Sequence, residues 1–181
     1  MKPFFLQKNT ARRGFTLVEM IIYLAIMTVI TVALVRSLVV VFASNRASFA
    51  DSNIRNSAYS AMENMVREIR GSQSIDTVNS VLYPSQSGVL QLNQVDASGN
   101  PYIVKFATTS SLALGMSKGS TTPAFVGPIT ANGTKVLNLI FTPINTGRSQ
   151  AVRIQMNLSA SANGLTKTQW FYDTAVLRDS Y

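Results

Sequence analysis

Neither cysteine nor histidine occurs in the 181 residues. Their absence excludes disulfides, Cys/His zinc sites, thiol nucleophiles and histidine-centred triads, and so removes most hydrolytic and metal-dependent chemistry by inventory alone. It does not fix the compartment, because an exported domain can fold without disulfides. Charge is also scarce: Asp, Glu, Lys and Arg make up 13% of the chain, about half the ~25% of an ordinary soluble domain. Glycine and proline are missing from every position between Phe15 and Arg70, so no residue there is a strong helix breaker.

What is present is unevenly placed. The chain is 46% hydrophobic and carries a net charge of +8, a balance that would by itself point to nucleic acid or an anionic membrane surface. Residues 1–14, however, hold Lys2, Lys8, Arg12 and Arg13 and no acid, leaving 12 bases against 8 acids, or +4, in the remaining 167 residues. The length fits one domain of roughly 100–200 residues.

From Phe15 to Ala43 only Thr16, Glu19, Thr28, Thr31, Arg36 and Ser37 interrupt 29 residues of apolar sequence. About 20 helical residues cross a hydrocarbon core of about 30 Å. The cationic segment ahead of the span predicts a cytoplasmic N-terminus. Beyond Ala43 the composition turns polar but the helical period continues through Ala47, Ala50, Ile54, Ala58, Ala61, Met62, Met65, Val66 and Ile69, one apolar stripe. Asp51 with Arg55 and Glu63 with Arg67 are spaced as i,i+4 ion pairs. Gly71 supplies the stop, with Arg67 and Arg70 in the last turn.

From Ser72 onward the pattern changes to strands. Gly88–Leu92 and Tyr102–Phe106 flank a turn at Asp96–Pro101, Val136–Phe141 is nearly all apolar, Val152–Leu158 alternates, and Gln169–Arg178 reads as a last strand. Gly115–Gly133, rich in Gly, Ser, Thr and Pro, reads as a long irregular connection. The expected fold is therefore α+β: a long N-terminal helix, membrane-spanning in its first half, packed against a C-terminal antiparallel sheet.

The string Arg12-Arg13-Gly14-Phe15-Thr16-Leu17-Val18-Glu19-Met20 combines a basic leader, an accessible glycine junction and an acid inside an apolar helix. It resembles the class III signal of the type IV pilin-like family, which includes type IV pilins and the pseudopilins of type II secretion. The resemblance implies that a prepilin peptidase cuts between Gly14 and Phe15 and methylates the new amine of Phe15, with Arg12 and Arg13 as leader charges. It implies for Glu19 a role in filament assembly, pairing with the N-terminal amine of an adjacent subunit. An ionisable side chain near the bilayer interior costs ~2.5–3.5 kcal/mol on insertion scales, so such an acid calls for a partner.

The segments expected are a leader over 1–14, a transmembrane and filament-core helix over 15–43, its amphipathic continuation over 44–71 and a β-rich head over 72–181. The partners implied are the peptidase, other pilin or pseudopilin subunits, an assembly platform protein and ATPase, and membrane lipid. Neither a cofactor nor a metal is expected, and nucleic acid is not an expected partner. The implied role is structural, a minor pilin or pseudopilin in the inner membrane with its head periplasmic or extracellular, and not an enzyme.

Three other readings compete. An ordinary secretory signal could end at Val41-Phe42-Ala43, although its apolar region would run only about 7–15 residues. A plain single-pass anchor leaves the Gly14-Phe15 junction and Glu19 without a reason. A periplasmic enzyme or binding module could use the helix as a tether, but no spacing selects a Ser-Lys pair for catalysis. Many major pilins carry a Gly or Pro in mid-helix, which this chain lacks; Arg36 lies there and reads as a snorkelling side chain at the outer membrane face.

In the head, Asp173-Thr174-Ala175-Val176-Leu177-Arg178 resembles the close of J-type pseudopilins. Asp173 and Asp179 read as solvated acids and not a calcium site. Trp170-Phe171-Tyr172 reads as a strand alternating into the core. Lys118-Gly119-Ser120 lacks the order of a phosphate loop and reads as loop. The scattered Lys105, Lys118, Lys135, Arg148, Arg153 and Lys167 read as solvated strand edges and not a DNA-binding face. The sequons at Asn132 and Asn157 are near chance frequency.

Overall fold

The computed structural model describes residues 14–146, 149–162 and 164–177. The chain divides into two compact units, Met1–Ser44 and Asn45–Tyr181. The described part of the first unit is almost entirely helix. Helix α1 runs from Leu17 to Arg70 without interruption, as a stretch free of Gly and Pro permits. It is long and apolar enough to cross a membrane, and none of its most apolar window is buried within the protein. Side chains from Leu17 to Phe42 accordingly face outward all round.

The second unit is built on the one-sided part of α1. Ala50, Ile54, Ala58, Ala61, Met62, Met65 and Ile69 are buried, with Val66 half-buried among them, so the apolar stripe is the face that packs on the sheets. Ser57 lies within this face and is buried too. Burying an Ile or Met side chain of this kind stabilises by about 1.5–3 kcal/mol.

Two antiparallel sheets receive that face. Strands β1 (Ser74–Ile75), β2 (Leu90–Val95), β3 (Pro101–Thr108), β4 (Leu114–Gly119) and β5 (Ala124–Pro128) form a five-stranded sheet in sequence order. Strands β6 (Thr134–Asn145), β7 (Gln150–Ala162) and β8 (Leu165–Val176) form a three-stranded sheet. Leu90, Leu92, Val104, Phe106 and Leu114 from the first join Leu139, Phe141, Ile154, Met156 and Leu158 from the second in one core. Alternation along each strand places these residues inward. Pro143 pairs with Val152 on β6, an edge strand of its sheet, where a missing N–H is tolerated.

The segment 83–88 links the two sheets. Tyr83 N–H donates to Phe141 O at 2.8 Å, Gly88 N–H to Leu139 O at 2.7 Å, and Leu139 N–H to Gln86 O at 2.8 Å. Gly88 therefore serves β6 and lies outside β2, which begins at Leu90 and not at the glycine as the sequence pattern predicts. A Cβ at position 88 would sit 2.7 Å from Leu139 O, so the contact depends on glycine.

The expected α+β fold, a long helix packed against an antiparallel β head, is the one observed, with the head divided into two sheets. Two further expectations are corrected. The Gly115–Gly133 stretch is no irregular connection, because it contains most of β4 and all of β5. Its glycines mark close approaches: a Cβ at Gly115 would meet the Phe125 ring at 2.7 Å, and one at Gly119 would meet Thr122 O at 2.7 Å. Small residues permit the tight β4–β5 hairpin, with a bulge between Met116 and Ser117. Lastly, Asp51 and Arg55 form their ion pair at 2.9 Å, but Arg67 turns from Glu63 to the Asn64 side chain and lies 4.0 Å from Glu68.

Candidate functional site

The residues at the start of α1 form a compact arrangement. Gly14, Phe15 and Thr16 precede the helix without regular secondary structure. At Gly14 no atom of the described residues beyond its chain neighbours lies within 4 Å of where a Cβ would sit. Phe15 is 72% exposed. The junction between them is thus open backbone, accessible to an enzyme working at the membrane surface.

Thr16 then caps the helix. Its Oγ1 accepts from the Glu19 N–H at 3.2 Å, and its carbonyl accepts from the Met20 N–H at 3.2 Å. This is N-cap geometry, with Glu19 at the third helical position. A carboxylate there is favoured by the exposed N–H groups and dipole of the first turn. The Glu19 carboxylate accepts from the Tyr23 hydroxyl at 3.1 Å. The Tyr23 ring meets the Phe15 ring edge to face, with centroids 6.2 Å apart and planes at 77°. Gly14, Phe15 and Glu19 therefore lie within the first turn and the approach to it. Arg12 and Arg13 lie outside the described residues.

Tyr23 is absent from the sequence-based expectations. The signal available was its spacing, four residues after the acid, which puts the two side chains on one helix face.

Further along the span, Thr28 Oγ1 donates to Leu24 O at 2.7 Å and Thr31 Oγ1 to Met27 O at 2.8 Å. These bonds satisfy both hydroxyls without an external partner, as an apolar solvent demands. Arg36 lies 17 residues beyond Glu19, or ~26 Å at 1.5 Å per residue, close to the ~30 Å hydrocarbon thickness. Acid and base thus flank the middle of the apolar stretch, which Leu38–Phe42 continue beyond Arg36.

The head offers less chemistry. Phe171 packs against the core, whereas Trp170 and Tyr172 are 40% and 64% exposed and stack on one another at 6.1 Å; the alternation buries one aromatic of the three. Asp173 is exposed on β8 and lines a groove of about 600 Å³ with Tyr59, Glu63, Arg67 and Arg70. Among the described residues no three acids gather as a metal-binding group. Asp179, Arg178 and Arg148 lie outside the described residues. Lys118 is a strand residue and not a loop residue: on β4 it ion-pairs with Glu68 at 2.9 Å.

No curated protein and no solved structure matches the chain significantly. Residues 9–35 match the family described as Prokaryotic N-terminal methylation motif. The match spans the junction, the capped first turn with Glu19, and most of the apolar stretch up to Arg36. Such a motif implies processing by a prepilin peptidase and assembly with other pilin subunits. With the long apolar helix it indicates a single-pass inner-membrane anchor. The N-terminal segment of this chain thus matches the methylation motif that forms the class III signal in type IV pilin-like proteins, and it heads an α+β fold of one long helix and two antiparallel sheets.

Proposed function

We propose that this chain is a structural subunit, a minor pilin or pseudopilin, of a filament assembled from the inner membrane. Cleavage between Gly14 and Phe15 creates the mature N-terminus, Phe15 carries the methylated amine, and the head is delivered to the periplasmic side. A platform protein and an ATPase supply the work of extraction. The chain has no catalytic role of its own.

One observation carries this reading: a lone carboxylate, Glu19, stands in the first turn of an outward-facing apolar helix that starts three residues after Gly14. An acid in that position is costly in lipid unless a cation meets it. The amine freed at Phe15 of a neighbouring subunit is such a cation, and pairing offsets the burial of both charges. In the filament the same helix exchanges lipid for neighbouring helices, so its apolar surface stays buried throughout.

Mass spectrometry of the N-terminus tests the first step. A chain starting at N-methylated Phe15 is expected; an intact leader, or a start at Ser44, would exclude the pilin reading. Glu19→Val tests the second. It should reach the membrane at normal levels and be depleted from sheared filaments, and normal incorporation would remove the pairing role.

A further inference from the structure

Tyr23 makes two contacts that the proposed assembly step does not use. Its hydroxyl donates to the Glu19 carboxylate at 3.1 Å, and its ring meets the ring of Phe15. It therefore touches both residues whose charges are to pair between subunits.

An acid three residues after a threonine N-cap ordinarily reaches back toward the start of its own helix, onto the N-cap backbone N–H. In this sequence that direction leads to the segment where cleavage places a positive amine. Left to itself, Glu19 would close onto its own N-terminus, and a cis pair would compete with the trans pair that joins subunits. Among the described residues the observed bond runs the other way, forward by one turn to Tyr23. The Phe15–Tyr23 ring contact places the hydroxyl-bearing ring alongside the junction. A carboxylate has about four acceptor sites, so the Tyr23 bond can persist when an incoming amine arrives.

We propose that Tyr23 is a positioning residue for filament assembly: its hydroxyl holds the Glu19 carboxylate turned from its own amine and presented to a neighbour's. This rests on the reading of Glu19 as the assembly acid.

The test uses the full-length chain in its own filament system, with Y23F, E19Q and the double variant. Y23F keeps the ring and removes only the hydroxyl. Incorporation is scored as the sheared-filament fraction, normalised to membrane-bound chain with a mature N-terminus. Y23F should lower incorporation by about fivefold, the size of one net hydrogen bond. In the E19Q background the same change should cause no further loss, because the tyrosine acts through the acid. Wild-type incorporation of Y23F beside a clear loss in E19Q would overturn the role of Tyr23 and leave that of Glu19 standing. An equal loss from Y23F in both backgrounds would also overturn it, by showing a packing role. Normal incorporation of E19Q would remove the role of Glu19, and that of Tyr23 with it.

Discussion

Lys118 on β4 donates to Glu68 Oε1 in the last turn of α1 at 2.9 Å, joining residues 50 apart in sequence. The Glu68 side chain is 11% exposed and that of Lys118 35%. Gln94 on β2 donates to both the Glu68 carbonyl and its carboxylate, at 2.7 and 3.3 Å, and itself accepts from the Tyr102 hydroxyl on β3. The end of the helix is thereby fastened to three strands, and one of its terminal carbonyls gains a partner. Glu68→Ala should cost about 0.5–1.5 kcal/mol by removing the Lys118 pair and the longer Gln94 bond, while the Glu68 carbonyl keeps its own bond from Gln94. Chemical denaturation of the full chain in detergent, with Lys118→Ala and the double variant, would show coupling of at least about 0.5 kcal/mol. Strict additivity would mean that the pair contributes nothing to stability.

Two glycines should respond differently to the same change. Gly88→Ala drives a methyl against Leu139 O at 2.7 Å and the buried Phe141 ring at 2.9 Å. Neither can yield cheaply, so a loss of about 1–3 kcal/mol is expected. Gly115→Ala meets mainly the far edge of Phe125, a ring that is 59% exposed and free to swing outward. Its cost should stay below about 1 kcal/mol. Thermal unfolding of the two variants side by side decides the order.

Acid should unfold the head from a definable set of carboxylates. The Asn79 side chain and N–H, helped by Val78 N–H and the Gln91 side chain, hold Asp76 below the usual carboxylate range. Asn100 does the same for Asp96, through its N–H first and then its side chain. A carboxylate depressed on folding adds stability that is complete above its unfolded value, about 3.9, and is lost as pH falls through its folded value. Stability should therefore be flat near neutrality and decline below about pH 4. Asp76→Ala should lower the neutral plateau and shallow that decline. An acid limb unchanged in slope would remove Asp76 from the set.

Ser57 interrupts the apolar stripe for a structural reason. Its Oγ donates to Thr134 Oγ1 at 3.1 Å and accepts from the Ala131 N–H at 3.2 Å, so one buried hydroxyl anchors the start of β6 to the helix. Ser57→Ala should cost about 1–3 kcal/mol, since it leaves a backbone donor unpaired. Amide hydrogen exchange at Ala131 should accelerate in the variant; unchanged protection there would show that another acceptor takes over.

A chain free of native thiols allows direct mapping of its membrane register. Cysteine placed at Ser44 should react with a membrane-impermeant maleimide added to spheroplasts, whereas cysteine at Val29, in mid-span, should not. Labelling of a cysteine at Asn9 in its place, in cells lacking the peptidase so that the leader is retained, would reverse the orientation.

Much of the architecture is legible in sequence because periodicity is a local signal. The helix and its buried face follow from apolar spacing, and the β6–β7 pair follows from apolar runs and alternation. The β4–β5 hairpin is illegible because its residues report a close approach between strands, and composition alone reads Gly, Ser and Thr as loop. Ser57 and Lys118 look like surface residues until their partners, 77 and 50 positions away, are known. At the N-terminus the Gly14–Glu19 string identifies the segment by motif, yet the motif is blind to Tyr23, whose place depends on helix rotation.

Between Met20 and Val35 every side-chain donor is already committed within its own helix: Tyr23 to Glu19, Thr28 to Leu24 and Thr31 to Met27. The flank of this helix is chemically mute, with no hydrogen bond to gain from one neighbour over another. Apolar ridges and grooves can still pack against a like rod, but no polar contact along this flank favours one stagger over another. Polar registry in an assembly of such helices would then come from Glu19 and Arg36, the charged groups on either side of the flank.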